Sequence, residues 1–146
     1  MTVKFEVVSR VCDIKLPERA TENSAGYDFF APEMITLPAH TLTRVMTGVK
    51  CELRPYMALI LANRSSNPSK KGLILANGIG IVDADYYNNP TNEGEIGFEF
   101  YNTTDKDVVI AQNEKIGQGV IVTYHKTEDD VATGTRNGGF GSTDNK

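Results

Sequence analysis

Cysteine and histidine are scarce in this sequence and widely scattered. Cys12 and Cys51 are the two cysteines, and His40 and His125 the two histidines, in 146 residues. No CxxC pair and no Cys–His spacing of a zinc site occurs, so no metal site built from protein ligands alone is expected. The two thiols are expected to be reduced and buried. Glu128, Asp129 and Asp130 behind His125 read as a solvated acidic turn, because no second nitrogen or sulfur ligand lies near. Positive charge is also in deficit. Fifteen basic against 19 acidic residues leave a formal charge of -4, with a pI near 5.2. Direct nucleic-acid binding is therefore not expected, since that mode wants a basic surface. Any polyanionic ligand must be gathered by local donors. No apolar run approaches the roughly 20 residues that span a bilayer. The charged opening MTVKFEVVSR is unlike a signal peptide, so a cytoplasmic location without membrane attachment is expected.

Helical periodicity is nearly absent, whereas period-two alternation is common. Val45, Thr47, Val49, Cys51 and Leu53 read as one face of a half-buried strand, with Arg44, Lys50 and Glu52 on the other. Ile96, Phe98 and Phe100 alternate with Glu99 and Tyr101, and Ile116, Gln118, Val120, Val122 and Tyr124 form a third series. Shorter β-rich runs occupy Val3–Val8, Met57–Leu61, Leu73–Leu75 and Val108–Ile110. Turn-rich stretches such as SSNPSKKG and YNNPTNEG separate them. Many short strands at this spacing predict an all-β sandwich or barrel, with at most one turn of helix around Ser66–Lys71.

The composition changes at Thr133. From there the chain reads TGTRNGGFGSTDNK, with Phe140 as its one large apolar residue. Such a segment cannot order itself by burial. Within it GGFGST offers backbone N–H groups, two hydroxyls and a ring, and Arg136 offers a guanidinium, which suits a lid over a phosphate chain. The sequence thus divides into a β domain, 1–132, and a flexible C-terminal motif, 133–146.

Three further segments carry chemical groups. AGYDFF places Asp28 in a strand after a small-residue turn. NRSS places Arg64, Ser65 and Ser66 at the end of the strand MALILA, which is either a phosphate grip or a capped turn. NGIGIVDADYY (Asn77–Tyr87) has glycines that allow close approach of a ligand. Its Asp83 and Asp85 would share one strand face while Tyr86 points the other way. By itself this segment reads as a β-hairpin with an acidic site, one aspartate functional and the other structural.

Taken in order, AGYD, RSS, NGIGIVDADY, KIGQGV and RNGGFGST resemble the five motifs of the trimeric dUTPases, which hydrolyse dUTP to dUMP and pyrophosphate. The resemblance spans about Ala25 to Thr143 and is specific as an ordered set. It implies a distorted jelly-roll subunit in a homotrimer, with active sites at subunit interfaces. It also implies that Asp83 holds the water that attacks the α-phosphorus. Asn77, with main-chain groups around Gly80 and Ile81, would read uracil, and Tyr86 would pack on the deoxyribose. Arg64, Ser65, Ser66 and Gln118 would contact the phosphates. Arg136, Gly141, Ser142 and Thr143 would close over them, with Phe140 stacked on the base. Mg²⁺ would be held mainly by the triphosphate, with Asp28 reaching it through water.

The pattern departs from the family in three places. DYYNNPTNEGEI inserts residues where DYxGE is common, Arg136 precedes Phe140 by one residue fewer than in RGxGGFG, and Gly117 stands where Ala is frequent. In RSSNP, DYY and RxGGFG the chain is similar to a bacterial and phage branch. Two alternatives stand beside hydrolysis of dUTP: a regulatory, protein-binding role on the same fold, with the inserted Tyr87–Glu93 loop as its surface, and a dCTP deaminase-type activity.

Overall fold

The computed structural model describes residues 2–144, so the last two residues of the 133–146 segment lie outside the described residues. The described residues form eleven strands: β1 (Lys4–Val7), β2 (Tyr27–Phe30), β3 (Ile35–Leu37), β4 (Leu42–Met46), β5 (Val49–Glu52), β6 (Met57–Asn63), β7 (Leu73–Leu75), β8 (Gly80–Asp83), β9 (Gly97–Asn102), β10 (Val108–Ile110) and β11 (Lys115–Thr123). A single short α-helix, α1 (Asn67–Lys71), interrupts them among the described residues. A four-stranded sheet in the order β2-β11-β6-β8 faces a three-stranded one, β4-β9-β7. The ribbons β1-β5 and β3-β10 complete the barrel. The all-β, jelly-roll-like expectation is met. No helix among the described residues is long and apolar enough to cross a membrane.

The core lies between the two larger sheets. Phe29, Leu59, Leu61 and Val82 pack from one side against Val45, Leu73, Phe98 and Phe100 from the other. Phe29 and Phe98 meet edge to face with centroids 5.3 Å apart, a geometry aromatic rings favour. The Val45, Thr47, Val49, Cys51, Leu53 series is buried throughout, as its alternation predicts. Burial pushes the Cys51 thiol up to about 12, while Cys12 is exposed, against expectation. Lys50 keeps its predicted outer face but is buried there. The inserted loop folds over it, and its ammonium donates to Asn88 Oδ1 at 2.6 Å and Glu93 Oε1 at 2.8 Å.

Two local readings of the sequence are overturned. Ile116 is an extra residue in β11: Lys115 pairs with Phe30 and Gly117 with Phe29, so the register shifts between them. This β-bulge turns Ile116 into the core while sending Gln118, Val120 and Val122 to the opposite, outer face. The inward positions are Gly117, Gly119 and Ile121. The second correction concerns Asn77–Tyr87. It is not a hairpin, because β7 pairs with β9 in one sheet and β8 with β6 in the other. Gly78, at φ +75°, turns the corner between the sheets. The strand ends at Asp83, and Ala84–Tyr86 form one turn of 3₁₀ helix. Tyr86 keeps the inward side, opposite Asp83, and its hydroxyl donates to the carbonyl of Glu95 at 2.6 Å.

Gly117 is fixed by packing. A Cβ there would lie 2.9 Å or less from three atoms of the Phe98 ring. Gly117→Ala should therefore lower the urea-unfolding free energy by about 1–3 kcal/mol, the usual cost of overpacking a core. Combined with Phe98→Leu, the two changes should cost less than their sum; strict additivity would show that the ring is not what excludes the methyl group.

Candidate active site

The corner between β7 and β8 opens into a cavity of about 220 Å³. Asn77, Gly80, Ile81 and Asp83 line it from the corner and β8, Tyr86 from the 3₁₀ turn, and Arg136 and Phe140 from the tail. Two segments far apart in sequence thus meet in one place. Burial pushes the Tyr86 phenol up, so it stays protonated and its donation to Glu95 persists.

The tail supplies the cation of the site. Arg136 Nη2 donates to Asp83 Oδ2 at 2.6 Å and Nε to Asp85 Oδ1 at 2.7 Å. Its side chain is mostly covered, whereas the Asp83 carboxylate keeps about half of its exposure. Asp83 therefore combines a fixed position with access to water. Farther along, the Arg44 guanidinium lies 3.8 Å from the centroid of the Phe140 ring, a cation–π contact. Arg44 is itself held by Glu99 across the β4–β9 pair at 2.6 and 2.8 Å. Nothing in the sequence signals this contact, because Arg44 reads simply as a solvated face.

The other candidate residues gather at the opposite end of the same sheet. Register sets Asp28, Gln118 and Ala62 side by side on the outer face of β2, β11 and β6. Asp83 stands on that face too, but opposite Ala58, four residues away along β6. The Gln118 amide donates to the Asn63 carbonyl at 3.1 Å, and the Arg64 guanidinium to the Lys115 carbonyl at 3.2 Å. Lys115 lies 3.0 Å from Asp28 Oδ2, a partner the sequence did not single out. Ser65 is exposed and Ser66 half-buried just before α1. In the tail, Gly141 and Thr143 are exposed, while the Ser142 hydroxyl is buried with no hydrogen-bond partner. None of Asp28, Arg64, Ser65, Ser66 and Gln118 lines the cavity beside Asp83.

Comparison with known proteins shows the family. The statistical model of one family, dUTPase, matches residues 13–144. The chain belongs to the dUTPase family. It is 42% identical over 143 residues to the deoxyuridine 5'-triphosphate nucleotidohydrolase of Lactococcus lactis, covering 95% of both chains. It is 35% identical to that of Rickettsia prowazekii, over 88% of this chain and 87% of the relative. A crystal structure of dUTPase from Streptococcus mutans superposes with a TM-score of 0.83 at 42% identity, covering 85% of this chain and 98% of that one. The dUTPase of Staphylococcus aureus phage phi11 shares the fold at 22% identity, with a TM-score of 0.73 over 90% of this chain and 96% of that one.

The inserted loop after Tyr86 is anchored by charge. Hydrogen bonds from Lys50 first, then from Ser9, hold the Glu93 carboxyl down at about 2, against 4.5 for an ordinary glutamate. A lowered folded-state value means that this stabilisation is complete above about pH 4.5 and fades as the pH falls toward 2. Glu93→Gln should therefore flatten the pH dependence of Tm across that window in calorimetry. An unchanged acid limb would show that the carboxylate contributes nothing there.

Proposed function

We propose that this chain hydrolyses dUTP to dUMP and pyrophosphate, limiting uracil entry into DNA and supplying dUMP for dTTP synthesis, in the cytoplasm. The observation that carries this reading is the half-exposed Asp83 carboxylate at a small cavity walled by Asn77, Gly80, Ile81 and Tyr86. The Asn77 amide and nearby main-chain groups would pair with the uracil edge, which leaves cytosine with mismatched polar groups, a penalty of about 10⁴-fold. Tyr86, locked by its bond to Glu95, would pack on the sugar. Asp83 would orient a water molecule and take its proton as the oxygen attacks the α-phosphorus. The bond from that phosphorus to the bridging oxygen of the β-phosphate breaks, and pyrophosphate leaves.

The phosphates fall to Arg64, Ser65, Ser66 and Gln118, with Arg136, Gly141, Ser142 and Thr143 closing from the tail and Phe140 over the base. The orphaned Ser142 hydroxyl supports this, since a buried donor without a partner is costly until a ligand supplies one. Mg²⁺ would neutralise phosphate charge. The donors fit a cation that keeps its waters: no cluster of three His, Cys, Asp or Glu side chains exists among the described residues, and Asp28 would reach the ion through water.

The same reading includes a homotrimer. Ile60, Ile81, Val120 and Val122 share the outer face of the four-stranded sheet, and Ile81 is 63% exposed. Because the phosphate-motif residues of one chain stand apart from its own Asp83 cavity, sites completed by a second copy account for both facts. The tail lies over the Asp83 of its own chain. No observation favours the regulatory alternative, because the polar side chains of the inserted loop bond inward.

Purified protein with Mg²⁺ should convert dUTP, and not dCTP, dTTP or UTP, to the monophosphate and pyrophosphate. Release of deaminated nucleotide from dCTP would replace this reading with the deaminase. Asp83→Asn should lower kcat by at least about 10³-fold while dUTP binding survives; near-normal turnover would remove Asp83 from its role. Truncation before Thr133 should abolish most activity without lowering Tm appreciably, since the tail adds little core.

A further inference from the structure

The family resemblance leaves the inserted loop, Tyr87–Glu93, without a task. In the structure it is a rigid bracket. Its outer side is bound to the barrel by Lys50 to Asn88 and Glu93, by Ser9 to Glu93, and by Tyr87 to Glu6. Its inner side grips Tyr86. The Asn92 amide donates to the Tyr86 hydroxyl at 2.9 Å, and the Asn89 amide to the Tyr86 carbonyl at 2.7 Å. Asn89 Oδ1 in turn accepts from the N–H of Thr91 at 3.0 Å and of Asn92 at 3.1 Å.

Thr91 is the exception in this network. Its hydroxyl has no bond within the loop; it donates to the main-chain carbonyl of Asn137 in the tail. The next two tail residues then follow the loop closely. A Cβ on Gly138 would lie 3.1 Å from the Thr91 side chain, and one on Gly139 would lie 2.5 Å from the Tyr86 ring. Successive glycines are what this path demands. With Arg136 on Asp83 and Asp85, and Phe140 on Arg44, the tail is held at three points within five residues.

We propose that the inserted loop is the seat of the C-terminal tail, and that Thr91 is the positioning residue that fixes the tail over the Asp83 cavity. The loop fixes Tyr86 from one side and the closing segment from the other, so the wall and the lid of the cavity share one support. This deepens the role given to the tail under the proposed activity, yet it is testable without that activity.

Trypsin provides the measurement, because Arg136 is the one basic residue between Lys126 and Lys146. Cleavage after Arg136 requires the tail to leave its seat, while cleavage after Lys126, which is exposed, serves as the internal reference. Thr91→Val keeps the shape and removes the donor. It should speed the Arg136 cut relative to the Lys126 cut by about 2- to 10-fold, the change expected from one net hydrogen bond. Thr91→Ser should restore the slow rate. Gly138→Ala should also speed the cut, without touching the barrel, whereas Gly134→Ala, which meets open space, should not. In turnover, Thr91→Val should lower kcat/KM for dUTP by a similar factor, and Thr91→Ser should recover it. An unchanged Arg136 rate in Thr91→Val, or a Gly138→Ala tail as protected as the unaltered one, overturns the seat. Absence of dUTP turnover in the unaltered protein would instead count against the activity, leaving the proteolysis to decide the seat by itself.

Discussion

The bulge at Ile116 sets the faces of the sheet on which the site stands. A strand has a period of two, so one extra residue exchanges the inward and outward sets beyond it. Without the bulge, Ile116 and Gln118 would share one face, so that burying Ile116 would carry Gln118 into the core with it. With it, glycines at 117 and 119 admit the rings of Phe98 and Phe29 from within. On the outer side, Gln118 comes into register with Asp28, and β6 carries the same face across to Asp83. The packing and the chemistry are two sides of one register. A change on the inner face at Gly117 is therefore felt by groups that never touch the core.

Charge is distributed by a similar economy. The chain is net acidic, yet its cations are placed where they hold something. Lys50 pins the inserted loop, Arg10 braces the buried Glu95, Lys115 faces Asp28, and Arg136 faces Asp83 and Asp85. Only the last pair is set at the mouth of the cavity. Under the proposed activity a triphosphate entering there competes with two carboxylates for Arg136, and its charge is what would free the Asp83 oxygen for water. A pair at this exposure is worth little as a contribution to stability, which suits a contact that must be exchanged.

Much of this was legible from the residues. The series from Val45 to Leu53 was readable because it runs without interruption on one face, and the helical turn near Ser66–Lys71 because proline and glycine bracket it. Ile116–Tyr124 misled because the alternation of residue types passes through the bulge unbroken; only the pairing with Phe29 and Phe30 reveals the extra residue. Tyr86 was readable as the residue that points away from Asp83, whereas its partner, the Glu95 carbonyl, is announced by no local pattern. Arg44 and Thr91 were invisible as site residues, since each becomes one only by meeting the tail from across the barrel.

Association is the remaining physical requirement of the proposed site. Ile60, Ile81, Val120 and Val122 form an apolar strip on a sheet whose inner face is already packed. At about 25 cal/mol per Å², covering such a strip stabilises a complex appreciably, whereas a single chain leaves it wet. The strip runs between two polar ends, Asp28 and Gln118 at one and Asp83 at the other. Under the proposed function, a second copy seated on it would bring its own polar end toward the Asp83 of the first chain, which no rearrangement within one rigid sheet can do. The thermodynamic reason to associate and the chemical reason then coincide, and the apolar strip between the half-sites sets how far apart they must stand.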